Sequence, residues 1–402
     1  MKKCVITSAV RTAVGGYLGS LKTVEAQDLA AVVIQEVSKR SKINLEDVQQ
    51  VIFGDVYGYT PNIARCASLV AGVPIEVPAF TVDRQCASSL QAVVSAAQEI
   101  NSENAEVVIA GGVEVMSRMV YYLDPSTRYE PFRLGDKNIY DTFTHGVTIV
   151  QPKSIYPELN MGITAENIAE KYCITREEQD KFAFDSQQKM KAAVDEDKFR
   201  DEIIPYEVKL RRDRFTFDKD EHPRPETTME SLASLRPVFK KEGSVTVGNS
   251  SGMNDGASAV VVMSEEKAAK LGCQPLVKII SYSSVGVDPN VMGIGPVSAI
   301  HKALDKAGLS LEDIDLFEIN EAFAAQALGV LKELGMDMET ELYKRVNVNG
   351  GAIAHGHALA NSGTRLLTTL IYELKKRNGR YGVVSLCIGG GQGMALVIEN
   401  CN

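Results

Sequence analysis

With 402 residues, 45% of them apolar and 24% charged, the chain is long enough for two or three globular domains with sizeable cores. A net charge of −9 without a lysine- or arginine-rich block argues against a nucleic-acid surface, and no window approaches the roughly 18 uninterrupted apolar residues of a membrane-spanning helix. The seven cysteines are scattered, without paired spacing or CxxC, which argues against a disulfide framework or a zinc finger.

The chain opens MKKCVITSAVRTAVGG. Two lysines resemble a signal n-region, but Arg11 and the glycines cut the apolar run short, so a first strand of a cytoplasmic protein is expected. An internal repeat then organises the rest. IQEVSKRSKINLEDV (Ile34–Val48) aligns without gaps on IHKALDKAGLSLEDI (Ile300–Ile314), and each leads into a short apolar run, VIFG or LFEIN. VDRQCASSLQAVVSAAQEI (Val82–Ile100) has its counterpart in NGGAIAHGHALANSGTRLLTTLIYEL, a small-residue turn followed by a helical apolar pattern. EVVIAGG (Glu106–Gly112) answers GVVSLCIGGG (Gly382–Gly391), and KKCVITSAV answers PLVKIISYSSV. Each half reads strand, helix, strand, helix, strand, which predicts mixed sheets with helices on both faces. A further strand, Met394–Ile398, follows the C-terminal glycine turn almost at once. Its N-terminal equivalent, Ser258–Ser264, arrives only after an insert running roughly from Ser117 to Asn249. That insert is rich in charge, Tyr and Pro, has one predicted helix over Ala165–Ala193, and is expected to lie over the sheet edges, where binding loops sit.

Several residues along this frame could do chemistry. Cys86, in DRQCASSLQAVVSAAQ, falls where a helix should begin; free N–H groups and the helix dipole there favour a thiolate and could hold an oxyanion. Tight packing beside Ala87, Ser88 and Ser89 explains a small residue equally well. His145, His222 and His301 sit in charged or loop contexts and are expected to face solvent. Asn320, in EINEAFAAQALGV, could cap a helix or orient a water toward a substrate oxygen. His355 and His357 stand in a bed of glycine and alanine, with no third or fourth ligand at metal-site spacing, so no metal is expected. Cys387 ends a strand and opens GGGQG, a turn that lacks the spacing and the downstream acid of a dinucleotide fingerprint. The repeat places Cys387, Cys86 and the histidine loop at one end of a twofold-like assembly.

Together these segments resemble the thiolases, nearly end to end. VDRQCASSLQA is similar to the family's nucleophile segment, NEAFA to its asparagine motif, NVNGGAIAHGHALANSG to its histidine loop and CIGGGQG to its C-terminal cysteine. EHPR, LRPVF, MGITAENIA and VTVGNSSGMNDGASAVVVMS resemble further family segments. The resemblance implies an α/β thiolase fold: two pseudo-repeated βαβαβαββ halves in a layered α-β-α-β-α core. Residues 1–118 and 245–268 would form the N-terminal half, 119–244 an inserted loop domain, and 269–402 the C-terminal half.

The resemblance also implies an acyltransferase of the acetyl-CoA C-acetyltransferase type, joining two acetyl-CoA into acetoacetyl-CoA and CoA, or running the reverse. Cys86 would be the nucleophile and His357 the acceptor of its proton. Cys387 would be the acid/base at C2 of the second acyl-CoA. His357 and a water held by Asn320 would stabilise the enolate oxygen, and the N–H groups of Cys86 and Gly389 the tetrahedral oxyanion. Met161, Arg224, Ser231, Ser251, Met292 and Phe323 would line the CoA and acyl sites. Coenzyme A thioesters are then substrates and no cofactor or metal is expected, because nothing is oxidised. Neither nucleic acid nor membrane is an expected partner; a homodimer or homotetramer is. A 3-ketoacyl-CoA thiolase for longer chains is the alternative within the class. A decarboxylating ketosynthase would want histidine or asparagine in place of Cys387, and a non-catalytic acyl-CoA or lipid carrier would have no use for the acid/base pair. The chain departs from the family pattern at His355, Ala358, Ala360, Ser89, Asn160 and Ser298. His355 is expected to add a titratable group near the pocket.

Overall fold

Strands whose residues are nearly all apolar or small are stable only when covered on both faces, and all nine residues of β1 (Cys4–Thr12) are buried. The computed structural model describes residues 3–130, 132–157, 159–209 and 213–401. From β1 the chain continues through α1 (Ala26–Ser41), β2 (Gln50–Gly54), α2 (Ile63–Ala71), β3 (Ala79–Val82), α3 (Ser88–Asn101) and β4 (Val107–Val115). The insert supplies α4 (Met161–Lys171) and α5 (Arg176–Asp195) before β5 (Asn254–Ser264) completes the first half. The second half contains β6 (Val277–Gly286), α6 (Gly295–Ala307), β7 (Leu316–Ile319), α7 (Ala324–Glu333), α8 (Ser362–Arg377), β8 (Tyr381–Ile388) and β9 (Gln392–Asn400).

The repeat holds at the level of strand order. One half runs β1-β5-β4-β2-β3 and the other β6-β9-β8-β7, with two antiparallel pairings followed by parallel ones in each. A single parallel bridge, Phe317 to Val346, stands where the first half has β3. Even the irregularities correspond: the register shifts between Ile6 and Ser8 in β1 and between Ile279 and Ser281 in β6. Antiparallel pairing of β1 with β6 at Val5–Lys278 and Ile6–Val277 joins the halves.

Side chains alternate across a strand, and neighbouring residues here serve different cores. Val5, Val51, Ile109 and Val261 pack with α1 and α2 residues such as Leu29, Ile34 and Ile63. Their neighbours Ile6, Ile52, Val108 and Val260 join Val384 and Leu396 of the other half around Leu90 and Val93 of α3 and Leu366 and Leu370 of α8. Val383 and Val397 face outward again, onto Ile300 and Leu304 of α6 and Val330 of α7. The layers are thus α-β-α-β-α, as expected. The two central helices come so close that a Cβ on Gly363 would lie 2.7 Å from the backbone nitrogen of Leu90. Among the described residues no helix is long and apolar enough to cross a membrane.

The insert departs from the sequence reading. The single helix expected over Ala165–Ala193 is two helices, α4 and α5. Cys173 turns left-handed at φ +52°, and Thr175 restarts the helix with a capping box: its side chain accepts from Glu178 N–H while the Glu178 carboxylate accepts from Thr175 N–H.

Candidate active site

The turn between β3 and α3 is built around an unusual backbone. Asp83 accepts the Gln85 N–H at 2.8 Å, and Gln85 is held at φ +47°, a region L side chains rarely adopt. The Ser88 hydroxyl locks the same turn, donating to Gln85 O and accepting from Arg84 N–H. Cys86 is thereby presented from a single 3₁₀ turn, Gln85–Ala87, directly ahead of α3.

Its thiol opens onto a cavity of about 540 Å³. Cys86, His357 and Gly389 line that cavity, as do Met161, Ser251, Met292 and Phe323 from the predicted acyl and CoA set. The walls are otherwise mostly apolar, with Tyr57, Phe143, Val150 and Phe239 among them. Arg224 and Ser231 are not brought into it: both are solvent-exposed on the insert, where Arg224 donates to the carbonyls of Glu221 and Pro223 and Ser231 closes a capping box with Thr228.

Electrostatics at Cys86 differ from the helix-terminus expectation. Burial pushes its thiol up to about 11, outweighing hydrogen bonds from the N–H groups of Gly389 and of Cys86 itself, and nearby Glu114 and Asp83 add to the rise. The resting nucleophile is a neutral thiol that needs a base. The two predicted oxyanion donors nevertheless converge on the sulfur.

His357 has the properties of that base. Its Nδ1 lies 2.6 Å from Ser362 Oγ, and that hydroxyl donates its one proton to Ala358 O at 2.9 Å. Ser362 must therefore accept from Nδ1–H, which leaves the lone pair on Nε2. Nε2 has no partner among the described residues, on a ring that lines the cavity. Burial first, then the Arg365 charge, lower its pKa to about 4. A base with a lowered pKa stays free further into acid. If His357 is essential, kcat/KM should hold steady from about pH 8 to about pH 5 and fall only as the pH approaches 4, rather than at the usual histidine value of about 6.5; a pH–rate profile on enzyme checked for folding at each pH reads this. Ser362→Ala removes the hydroxyl that selects the tautomer and should cost roughly 10–100-fold in kcat with little change in KM, measured by steady-state kinetics. Ser362 went unmarked in the sequence; its only signal is its place five residues beyond His357.

The loop around His357 has no slack. Gly356 sits at φ +95°, and a Cβ there would fall 2.4 Å from Asn254 Oδ1, the atom that accepts the His357 N–H at 3.0 Å. Glu321 ties the loop to its neighbours, accepting from Ile353 N–H, Asn347 Nδ2 and the Ser186 hydroxyl.

Cys387 is fully buried beneath the cavity, packed with Met292 and Ala322, with Met161 and Phe323 alongside. Burial, then proximity to Cys86, push its thiol far above the ordinary range. Asn320 does not cap a helix: α7 begins at Ala324, with Phe323 at its cap position. The Asn320 side chain is wholly buried, and neither its oxygen nor its nitrogen has a partner among the described residues.

The other histidines divide. His301 is exposed, as expected. His145 is half-buried, stacked on Tyr140 at 4.6 Å between ring centroids and bonded to the Tyr122 hydroxyl. His222 is half-buried against Gly252 and bonds backbone at Ile353; burial, then the Arg224 charge, lower it to about 4. His355 does not reach the cavity at all: it is fully buried behind the loop beside Asp220. Asp220 and Arg11 meet only in the fold, 209 residues apart in the chain.

A half-buried thiol with two converging N–H groups, an unpartnered imidazole nitrogen and a second, fully buried thiol form one constellation in a duplicated α/β frame. The thiolase N-terminal domain family matches residues 4–266 and the thiolase C-terminal domain family residues 273–400. The chain belongs to the thiolase family. It is 48% identical over 404 residues to the acetyl-CoA acetyltransferase of Syntrophomonas wolfei, covering 99% of each chain. To that of Escherichia coli it is also 48% identical, over 100% of both chains. Among solved structures, the Bacillus anthracis acetyl-CoA acetyltransferase is similar with a TM-score of 0.95 at 47% identity, covering 100% of this chain and 99% of that one. Human mitochondrial 3-ketoacyl-CoA thiolase in complex with CoA has a TM-score of 0.93 at 44% identity, covering 100% and 98%.

Proposed function

We propose that the chain is an acetyl-CoA C-acetyltransferase, condensing two acetyl-CoA to acetoacetyl-CoA and CoA or running the reverse cleavage through acetyl-Cys86. The observation that carries this reading is the meeting of the Cys86 thiol, the Gly389 N–H and the His357 ring at one apolar cavity. The Cys86 sulfur attacks the thioester carbonyl while His357 Nε2 takes the thiol proton. The N–H groups of Cys86 and Gly389 hold the oxyanion, and the proton then leaves with the CoA thiol. Carbon–carbon chemistry needs a second acid/base. In cleavage, the Cys387 thiol gives its proton to the departing C2 carbanion, and its raised pKa fits a group that rests protonated. In condensation His357, neutral again once CoA has left, takes the Cys387 proton, and the Cys387 thiolate then removes the C2 proton. The enolate oxygen is held by the His357 Nε2–H and by a water on Asn320, whose unpartnered amide supports that role, and the Cys86 thiolate expelled as the carbon–carbon bond forms recovers its proton from His357. Met161, Ser251, Met292 and Phe323 line the acyl end, while exposed Arg224 and Ser231 would meet the CoA nucleotide outside the cavity. This chemistry oxidises nothing, so the proposal includes no metal or redox cofactor.

The names of these relatives support acetyl-CoA as the substrate. Assembly as a homodimer or homotetramer and a cytoplasmic location belong to the same proposal; the exposed apolar side chains of Tyr121, Leu134 and Ile139 on the insert support self-association. The test is intact-protein mass after brief incubation with acetyl-CoA, repeated with longer acyl-CoA. A gain of one acetyl group, formed faster than any longer acyl adduct, is expected. Faster acylation by the longer chains would make the enzyme a 3-ketoacyl-CoA thiolase, and no adduct at all would overturn the covalent mechanism.

A further inference from the structure

Behind the histidine loop lies a set of buried charges that the proposed chemistry does not use. Arg11, on β1, donates from Nη1 and Nη2 to Asp220 at 2.8 and 3.0 Å and from Nε to Glu202 at 2.7 Å. Asp220 Oδ1 also accepts the Val14 N–H at 2.7 Å. Burial alone would raise the Asp220 carboxyl, but the Arg11 charge and then His355 hold it far below the usual carboxylate range, so it is an anion. An anionic carboxylate only accepts. His355 Nε2 lies 3.0 Å from Asp220 Oδ2, off the line of a good hydrogen bond but so close that a lone pair facing the anion would be repelled, so Nε2 carries the proton. That leaves a lone pair on Nδ1, which faces Arg365 Nη1 at 3.5 Å. The neutral ring thus offers a donor to an anion and an acceptor to a cation. Burial lowers its pKa to about 3, which keeps it in that form. Phe199 closes the remaining side, edge-on at 5.1 Å.

The same short stretch of the insert grips the loop twice. Asp220 meets His355, and His222 bonds backbone at Ile353. Between His355 and His357 stands only Gly356, clamped against Asn254, so a displacement of the backbone at His355 is passed on to His357. After His357 comes Ala358, whose φ no ring fixes. We infer that His355, held between Asp220 and Arg365, is a positioning residue that aims His357 at Cys86 and fastens the catalytic loop to the insert. The inference rests on the thiolase chemistry proposed above for His357, and its test contains an arm that does not.

His355→Met removes both hydrogen-bonding atoms at similar volume; His355→Gln restores a donor and an acceptor on one amide. Acetylation of Cys86 by acetyl-CoA, alkylation of Cys86 by iodoacetamide, and thermal midpoint are measured for both. In folded His355→Met, acetylation is expected to slow about 10–100-fold with KM within about twofold, and alkylation to slow about fivefold or more, because the base no longer meets the thiol. His355→Gln should recover both rates to within about fivefold of wild type. Wild-type rates in His355→Met, or losses that Gln does not rescue, would overturn the assignment and leave His355 a packing residue. If His355→Met does not fold, His355→Asn takes its place, being one methylene too short to reach both partners, and the same rescue comparison decides. The alkylation arm reads the alignment of His357 whichever thioester is the substrate, so a wild type that takes no acetyl group counts against the proposed function alone.

Discussion

Cys86→Ala is expected to lower turnover by about 10⁴-fold or more and to abolish the gain of one acetyl group on incubation with acetyl-CoA. The size of the effect follows from what remains. The variant keeps the Gly389 N–H, the His357 lone pair and the cavity walls, but nothing there can form the thioester that divides the reaction into two manageable steps. Affinity for CoA should stay within about twofold, because one sulfur is a small part of a cavity of about 540 Å³. Cys86→Ser is not a gentle substitute. A hydroxyl is far less acidic than a thiol, and His357, lowered to about 4, is a weak base to pair with it. A Cys86→Ala protein that still acquires an acetyl group would place the nucleophile elsewhere.

What the sequence disclosed and what it hid separate along a physical line. Strand and helix periodicities are local, so the two halves could be aligned from Ile34–Val48 against Ile300–Ile314, and the aligned strands share even the register shifts at Ile6/Ser8 and Ile279/Ser281. The succession of strands and helices carried mixed sheets with helices on both faces, while the α-β-α-β-α layer order came with the thiolase resemblance. The break between α4 and α5 was local too: Thr175 and Glu178 spell a capping box, but the helical pattern on either side masked it. Properties that depend on burial were out of reach. The helix-terminus rule for Cys86 is sound locally, yet enclosure by the opposite half reverses the sign of the shift. His355 reads as a group for the pocket because its neighbours are small, and His222 as a surface residue because Asp220 and Glu221 precede it. The setting of His355 is decided by Asp220 and Arg11 and that of His222 by Ile353, all from distant parts of the chain. Asn320 shows the same limit: a polar residue before a helix is a natural cap until the helix starts at Ala324.

Cys387→Ala should separate the two half-reactions. Acetyl transfer to Cys86 asks for a base, His357, and for the N–H groups of Cys86 and Gly389; none of these touches C2 of the second substrate. The variant is therefore expected to take up one acetyl group at a rate within about fivefold of wild type, while condensation and cleavage fall about 10²–10⁴-fold, the usual worth of a positioned acid/base. The substitution leaves a small void among Met292, Ala322, Met161 and Phe323, so the thermal midpoint must be followed alongside. If acetylation and carbon–carbon cleavage decline together in a folded protein, Cys387 serves the packing of the nucleophile and not the proton at C2. If only the carbon–carbon step declines, the two thiols have distinct tasks, one forming a covalent bond and the other moving a proton.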